Sequence, residues 1–180
     1  TIASRPLQNK LETVKDRPKS ETVCVKDSLA MVGKKEESID REKLLERYMN
    51  VSLPLKKIKV TSPFGMRKDP FTGKRKMHNG IDLYARNDEV YAMFPGMVKK
   101  VGYDKRSGNY ITLQHGDYTV SYCHLSRVTV KEKMSVLAGD SVGITGNTGR
   151  STGEHLHITC KMDSIYINPL LLINIFGNVL

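Results

Sequence analysis

Several histidines and one nearby carboxylate between residues 78 and 157 are spaced as residues of one binding site would be. The histidines of the sequence are His78, His115, His124, His155 and His157. His155 and His157 flank Leu156 in a short apolar run that predicts a strand. Alternate residues of a strand project from one face, so both imidazoles should point the same way. A solvated pair on an exposed sheet face fits this pattern, and so does a pair that binds a ligand.

The stretch that precedes this pair is rich in glycine. Residues 143–154 contain four glycines in twelve positions. Glycine is favoured where the backbone bends tightly or comes close to another group. We therefore expect a loop that delivers His155 and His157 to the rim of a site, which favours the binding interpretation.

A second cluster consists of His78 and Asp82, with Asn79-Gly80 between them. Asn-Gly disfavours a helix and predicts a turn that runs into a strand. With His157, these residues supply two imidazoles and one carboxylate, which leaves the fourth position of a tetrahedral zinc ion open for water. An open position of this kind is typical of catalytic rather than structural zinc sites.

The remaining histidines, His115 and His124, belong to one predicted hairpin with Gly116-Asp117 near its tip. The strand between them should hold the two imidazoles at opposite ends, too far apart to serve one site. We expect His115 to be a surface residue beside the turn. We expect His124 to end its strand where a site can form.

The elements that must position these side chains are short strands. Apolar and β-branched runs separated by Gly, Asn, Asp or Ser clusters lie at 90–92, 96–101, 110–114, 119–123, 141–144 and 156–160. No helical pattern long enough for a crossover lies between them, which disfavours a parallel α/β sheet. The sequence therefore predicts two packed or coiled antiparallel β-sheets.

The composition changes near residue 50. Residues 1–37 contain few large apolar groups and no sustained periodicity, which predicts a poorly packed arm. Residues 39–50 carry an apolar stripe at helical spacing and predict a short helix. We therefore divide the chain into an arm with a short N-terminal helix, residues 1–50, and a β-rich domain, residues 51–180.

The net charge of the chain is +10, and residues 51–180 carry 18 basic and 10 acidic side chains. Such a surface favours polyanions, and part of it falls in residues 67–76, which predict a solvated loop. No recognition helix or interleaving of aromatic and basic residues is visible, so we expect no nucleic-acid partner. No apolar run reaches the ~18 residues of a membrane span.

The three cysteines form no CxxC pair and do not identify the compartment. The sequence begins at Thr1 without a basic-then-apolar leader. We therefore expect that any export signal has been removed or was never present.

Three motifs in this order resemble the lysostaphin-type metallopeptidases, the M23 or LytM-like family. The motifs are His78-x-x-x-Asp82, Tyr122-x-His124-Leu125 and Gly149-x-Ser-Thr-Gly-x-His155-Leu-His157. Ser62-Pro-Phe-Gly65 before the first motif and Asn168-Pro169 near the end add to the similarity. The resemblance covers about residues 58–172, and the motifs are specific as a set.

The resemblance implies zinc ligands at His78, Asp82 and His157, with His124 and His155 as catalytic histidines. It implies a β-rich fold with the site in a groove. It also implies an exported endopeptidase, periplasmic or at the cell wall, that cleaves peptide cross-links of bacterial peptidoglycan through a metal-activated water. Members without the zinc site act as activators or binding scaffolds, whereas all five positions are filled here.

Two questions stay open from the sequence. A module that binds zinc or wall peptide without hydrolysis, or a regulator of another hydrolase, is the alternative function. The bond cleaved is also open, because a D-alanyl cross-link to a diamino acid and a glycine bridge both suit such a groove. Residues 1–50 fall outside the resemblance, and we hypothesise that they cover the groove as a latency element.

Overall fold

The computed structural model of the chain describes residues 51–177, and within them the fold is almost entirely antiparallel β-sheet. The predicted fold class is confirmed for this part of the chain. The predicted arm and short N-terminal helix of residues 1–50 lie outside the described residues. Within residues 51–177, no helix is long and apolar enough to cross a membrane.

The strands in chain order are β1 (Val60–Ser62), β2 (Gly65–Lys68), β3 (Arg75–His78), β4 (Ile81–Tyr84), β5 (Glu89–Tyr91), β6 (Gly96–Asp104), β7 (Gly108–His115), β8 (Tyr118–Leu125), β9 (Arg127–Val128), β10 (Ser135–Val136), β11 (Ser141–Ile144), β12 (His155–Met162) and β13 (Ile165–Ile167). A single helix, α1 (Pro169–Gly177), follows them in the described part of the chain.

These strands form one large sheet and two small ones. The large sheet has the order β1-β4-β12-β8-β7-β6-β10, and β13 also pairs with β12. A second sheet has the order β5-β11-β9, and β2 pairs with β3 as a separate hairpin. Strand β12 therefore lies between β4 and β8, the strands that carry Asp82 and His124.

The core takes apolar side chains from both larger sheets. Leu156 and Ile158 of β12 are fully buried, as are Ile111 of β7 and Val142 of β11. Burial of one such side chain stabilises the fold by roughly 1.5–3 kcal/mol. Because alternate residues face opposite sides, the second face of β12 is left free for polar side chains.

All six predicted strands are present; the bounds of residues 141–144 agree with the prediction, and the other bounds differ by at most three residues. The strands that the sequence pattern did not predict have two to four residues, and several, such as β3 with its sequence Arg-Lys-Met-His, carry little apolar signal. The pattern also did not predict α1. Its start is encoded by Asn168, whose Oδ1 accepts the Leu170 N–H at 3.0 Å, and by Pro169 in the first turn.

Candidate active site

Three neighbouring strands bring the predicted site residues together. His157 of β12 lies directly opposite Asp82 of β4 on one side and Cys123 of β8 on the other. His78 ends β3, and the predicted Asn79-Gly80 turn leads from it into β4. A side chain at Gly80 would come within 2.2 Å of the Ile158 carbonyl oxygen, so glycine allows this turn to pack against β12.

His78, Asp82 and His157 form a compact group, called the metal cluster below, in which each residue offers one atom as a metal ligand. The Oδ1 atom of Asp82 lies 2.6 Å from Nδ1 of His157 and 3.2 Å from Nε2 of His78. The two imidazole nitrogens lie 3.2 Å apart. The sequence assigned these three residues to one metal site, and the fold does bring them within reach of one ion.

The donor set and its spacing fit zinc. Ligand bonds of about 2.0–2.1 Å at tetrahedral angles separate neighbouring donor atoms by about 3.3 Å. Both distances from His78 Nε2 match that separation. The shorter contact between Asp82 and His157 is a charge-assisted hydrogen bond that must open when the carboxylate binds a metal. Two imidazoles and a carboxylate are also the donor types of catalytic zinc sites.

Electrostatics keep the cluster in the state that binds a cation. Burial by itself raises the pKa of Asp82, but hydrogen bonds and attraction from His157 and His78 outweigh it and hold that pKa well below its usual range. Burial lowers the pKa of His157, and the interaction with Asp82 only partly opposes this. A carboxylate beside a neutral imidazole is the form that metal binding requires.

His124 reaches the groove through a β-bulge. Residues Asn109 and Ile111 of β7 pair with Leu125 and Tyr122 of β8, so β8 has one extra residue at this point. Strict alternation would place His124 on the core face with buried Tyr122. Instead His124 adopts a left-handed backbone with φ of 64° and joins the groove lining, while Leu125 returns to the core.

Backbone carbonyls orient three of the imidazoles. The Nδ1 atoms of His78, His124 and His155 lie 2.8, 2.8 and 2.7 Å from the carbonyl oxygens of Pro63, Thr148 and Gly153. We assign the Nδ1–H tautomer to each ring, because only a donor can bond a carbonyl oxygen. In the neutral ring, the Nε2 atoms of His124 and His155 then carry the lone pair. Such contacts fix ring orientation in metal sites and active sites.

The second predicted pair, His124 and His155, lies beside the metal cluster. Their ring centroids are 4.8 Å apart, and the His124 centroid lies 5.7 Å from that of His157. The Nε2 atom of His155 lies 3.6 Å from Oδ1 of Asp82. Burial lowers the pKa of His124 to about 4, which leaves this ring neutral at pH 7. His155 sits closer to solvent, with 17% of its side chain exposed.

The predicted glycine-rich loop does bend tightly, as the sequence indicated. Gly149 has a φ of 72°, and a side chain there would come within 2.2 Å of the Gly108 backbone nitrogen. The loop is thus pressed against the start of β7. This close approach sets the position of the Thr148 carbonyl that orients His124.

The segment of residues 67–76 is a hairpin, β2–β3, where the sequence predicted a loop. Its residue Arg67 points to the metal cluster, with Nη2 3.2 Å from Oδ2 of Asp82. At its tip, the Asp69 carboxylate accepts the Phe71 and Thr72 backbone N–H groups and pairs with Arg150 at 2.9 Å. The Arg150 guanidinium also stacks over the Phe71 ring. The hairpin and the glycine-rich loop therefore border one groove.

His115 is the one candidate for which the sequence prediction was wrong. It is 7% exposed rather than a surface residue, with Nδ1 3.0 Å from the Pro95 carbonyl and its ring edge against Phe94. The reason is that the Pro95-Gly96 backbone packs directly on it, so closely that a side chain at Gly96 would meet Nδ1 at 2.5 Å. As predicted, His115 lies at the far end of the hairpin from His124.

Two tyrosines and Glu154 lie close to the site residues. Tyr122 is fully buried, and its hydroxyl accepts the Met93 N–H, so it is a core residue. Tyr110 lines the groove. Glu154 contacts Asn87 and the Thr145 hydroxyl, as expected of a side chain that points away from the histidine pair.

Comparison with known proteins places this arrangement among peptidases. The model of peptidase family M23 matches residues 76–169, slightly more than half of the chain. A peptidoglycan DD-endopeptidase of Vibrio cholerae, ShyC, is 38% identical over 119 residues. That alignment covers 64% of this chain and 28% of the relative, so this chain spans less than a third of the relative's length.

Two solved structures are similar in fold over about two thirds of the chain. A zinc-containing peptidase from Vibrio cholerae is similar with a TM-score of 0.62 and 32% identity, over 66% of this chain and 39% of that one. The catalytic domain of lysostaphin from Staphylococcus simulans is similar with a TM-score of 0.60 and 29% identity, over 65% of this chain and 92% of that domain.

Proposed function

The chain belongs to peptidase family M23, and from this membership and its site geometry we propose that it is a zinc-dependent endopeptidase acting on peptidoglycan cross-links. One observation carries the proposal. An open three-ligand set, His78, Asp82 and His157, stands beside two further imidazoles in a groove that is open to a peptide. A structural zinc site would need a fourth protein ligand and would have no use for His124 and His155.

Zinc, when bound by His78, Asp82 and His157, would polarise the scissile carbonyl and increase the acidity of a water molecule. The protein residues then have to handle the protons. His124 is neutral at pH 7 and has its Nε2 lone pair free, which is the state a general base needs. We assign proton acceptance from the attacking water to this atom.

We assign the second proton role to His155. Its Nδ1 is held by the Gly153 carbonyl, so the Nε2 atom faces the site and, once protonated from solvent, can donate that proton to the departing amine. When protonated, it also places a positive charge next to the oxyanion of the tetrahedral intermediate. Its partial exposure allows it to exchange protons with solvent between turnovers.

The activity of a relative supports a more specific proposal for the substrate. The similar protein from Vibrio cholerae is a peptidoglycan DD-endopeptidase, and on that basis we propose a cross-link between D-residues rather than a glycine bridge. Peptidoglycan lies outside the cytoplasmic membrane. We therefore propose that this protein acts in the periplasm or outside the cell.

Metal analysis followed by hydrolysis of purified peptidoglycan tests the proposal. The zinc-loaded chain should reduce the turbidity of a peptidoglycan suspension, and mass spectrometry should find cross-linked peptides converted to monomers. A chelator should abolish the reaction and added zinc should restore it. Stoichiometric zinc without any cleaved cross-link would contradict the peptidase and favour a binding module instead.

A further inference from the structure

The floor of the groove extends well beyond the metal cluster along strand β12. Its alternate residues His155, His157, Thr159 and Lys161 all line the groove. Beyond the metal cluster, three hydroxyl residues form a row across neighbouring strands. Thr159 of β12 lies opposite Ser121 of β8, and Ser121 lies opposite Thr112 of β7. The hydroxyl groups of Ser121 and Thr112 are 2.8 Å apart. This row of hydroxyl groups offers neutral hydrogen-bonding partners to a peptide backbone.

Lys161 ends this floor. It lies opposite Tyr166 of β13, and its Nζ atom sits 4.4 Å from the centroid of the Tyr166 ring, which also lines the groove. Stacking on an aromatic ring holds an ammonium group in place without neutralising its charge. Lys161 is therefore a positioned cation, fixed by its strand and its aromatic neighbour.

The charge of Lys161 is not compensated within the described part of the chain. The groove-lining cations there are Arg67, Lys76, Arg106, Arg150 and Lys161. Arg67 pairs with Asp82, and Arg150 pairs with Asp69. Arg106 is attracted by Asp104. Lys161 forms no ion pair with any described carboxylate, and Lys76, on the exposed hairpin wall, lacks the aromatic support.

We propose that Lys161 binds a carboxylate of the substrate peptide and makes the enzyme selective for anionic peptides over neutral ones. This inference rests on the proposed peptidase function. Lys161 lies four positions after His157 on β12, which is roughly 13 Å at the rise of a strand. An extended peptide with its scissile bond at the metal cluster reaches Lys161 after about four residues. A side-chain carboxylate on a nearer residue reaches it as well.

The selectivity can be measured with matched peptides that differ only in charge. Four versions of one cleavable cross-linked peptide are needed: both carboxylates free, only the side-chain carboxylate amidated, only the terminal carboxylate amidated, and both amidated. We expect kcat/KM to fall about 10-fold when the carboxylate that meets Lys161 is amidated, the scale of one charge-assisted hydrogen bond. The amidated version that loses rate identifies which carboxylate is bound.

Substitution of Lys161 separates its role from that of the groove as a whole. Lys161→Met should raise KM about 10-fold for the anionic peptide with little change in kcat, and should leave the fully amidated peptide unaffected. Lys161→Arg should retain the preference. Lys131→Met removes an equal charge at an exposed position outside the groove lining. It should change kcat/KM for neither the anionic nor the fully amidated peptide.

A binding measurement supplies a readout that does not depend on turnover. Fluorescence anisotropy should show weaker binding of the anionic peptide to Lys161→Met than to the unmodified chain, and the difference should shrink at high salt. If the unmodified chain cleaves charged and amidated peptides equally, and Lys161→Met matches it, the inference is overturned while the peptidase function stands. If no peptide is cleaved or bound, the proposed function fails instead.

Discussion

The guanidinium group of Arg150 lies 2.9 Å from Oδ1 of Asp69, although 81 residues separate the two in sequence. This ion pair ties the tip of the β2–β3 hairpin to the loop that precedes the histidine pair. The hairpin carries His78 of the metal cluster and Arg67, which pairs with Asp82. The loop supplies the Thr148 carbonyl that orients His124. The contact therefore links the two walls of the groove at the site.

Loss of the Asp69–Arg150 ion pair should slow peptide hydrolysis without loss of the bound metal. In Asp69→Asn, one oxygen still caps the hairpin turn but the charge is lost, and we expect kcat to fall several-fold at unchanged zinc content. Arg150→Met should behave alike, and the double variant should be no slower than the slower single variant. Arg127→Met, at an exposed position, is the matched control. Additive losses in the double variant would contradict a shared role.

Substitutions should separate the metal ligands from the catalytic histidines. Asp82→Ala and His157→Ala should purify with little zinc, because two remaining ligands hold the ion poorly. His124→Ala and His155→Ala should keep near-stoichiometric zinc while turnover falls ~10²-fold or more. Metal analysis beside the turbidity assay measures both effects. Zinc loss in His155→Ala with retention in His157→Ala would invert the assignment within the pair.

The stability of the fold should depend on pH through His115. Burial lowers its pKa from the ordinary value of 6.5, and the hydrogen bond with the Pro95 carbonyl only partly opposes this. Because the pKa of His115 is lower in the folded than in the unfolded state, protonation of this ring favours unfolding. The free energy of unfolding is therefore highest above pH 6.5 and decreases as the pH falls below it. The free energy of unfolding, measured with urea, should decrease less from pH 7.5 to pH 5.5 in His115→Gln than in the unmodified chain. Equal losses would contradict this role.

Removal of residues 1–50 tests the latency hypothesis. These residues lie outside the family match and outside the described structure. If they cover the groove, the chain of residues 51–180 should cleave peptidoglycan faster than the full chain, with a lower KM because substrate no longer competes with the arm. Unchanged or slower turnover at equal zinc content would count against latency.

Much of the site could be read from the sequence because its residues are held by local rules. The alternation of β12 fixed the common face of His155 and His157, and the Asn79-Gly80 turn placed His78 beside Asp82. In each case, the residues on which the prediction depends lie within five positions of one another in the sequence. The assignment of roles to these residues stays a prediction.

Other features depend on contacts between distant segments and left no local signal. The burial of His115 depends on the Pro95-Gly96 backbone from another strand, and the Asp69–Arg150 pair joins two loops. The bulge that turns His124 into the groove breaks the alternation from which side-chain direction is inferred. By contrast, the start of α1 does have a local signal, the Asn168-Pro169 pair.

The left-handed backbone of His124 carries a cost in thermal stability. A residue with a Cβ atom in this region costs roughly 1 kcal/mol relative to glycine, so the imidazole is kept at the expense of melting temperature. Glycine at position 124 would relieve this backbone strain but would also remove the buried imidazole and its hydrogen bond to the Thr148 carbonyl. The Thr148 contact therefore offsets much of the strain, since one such hydrogen bond contributes about 0.5–1.5 kcal/mol.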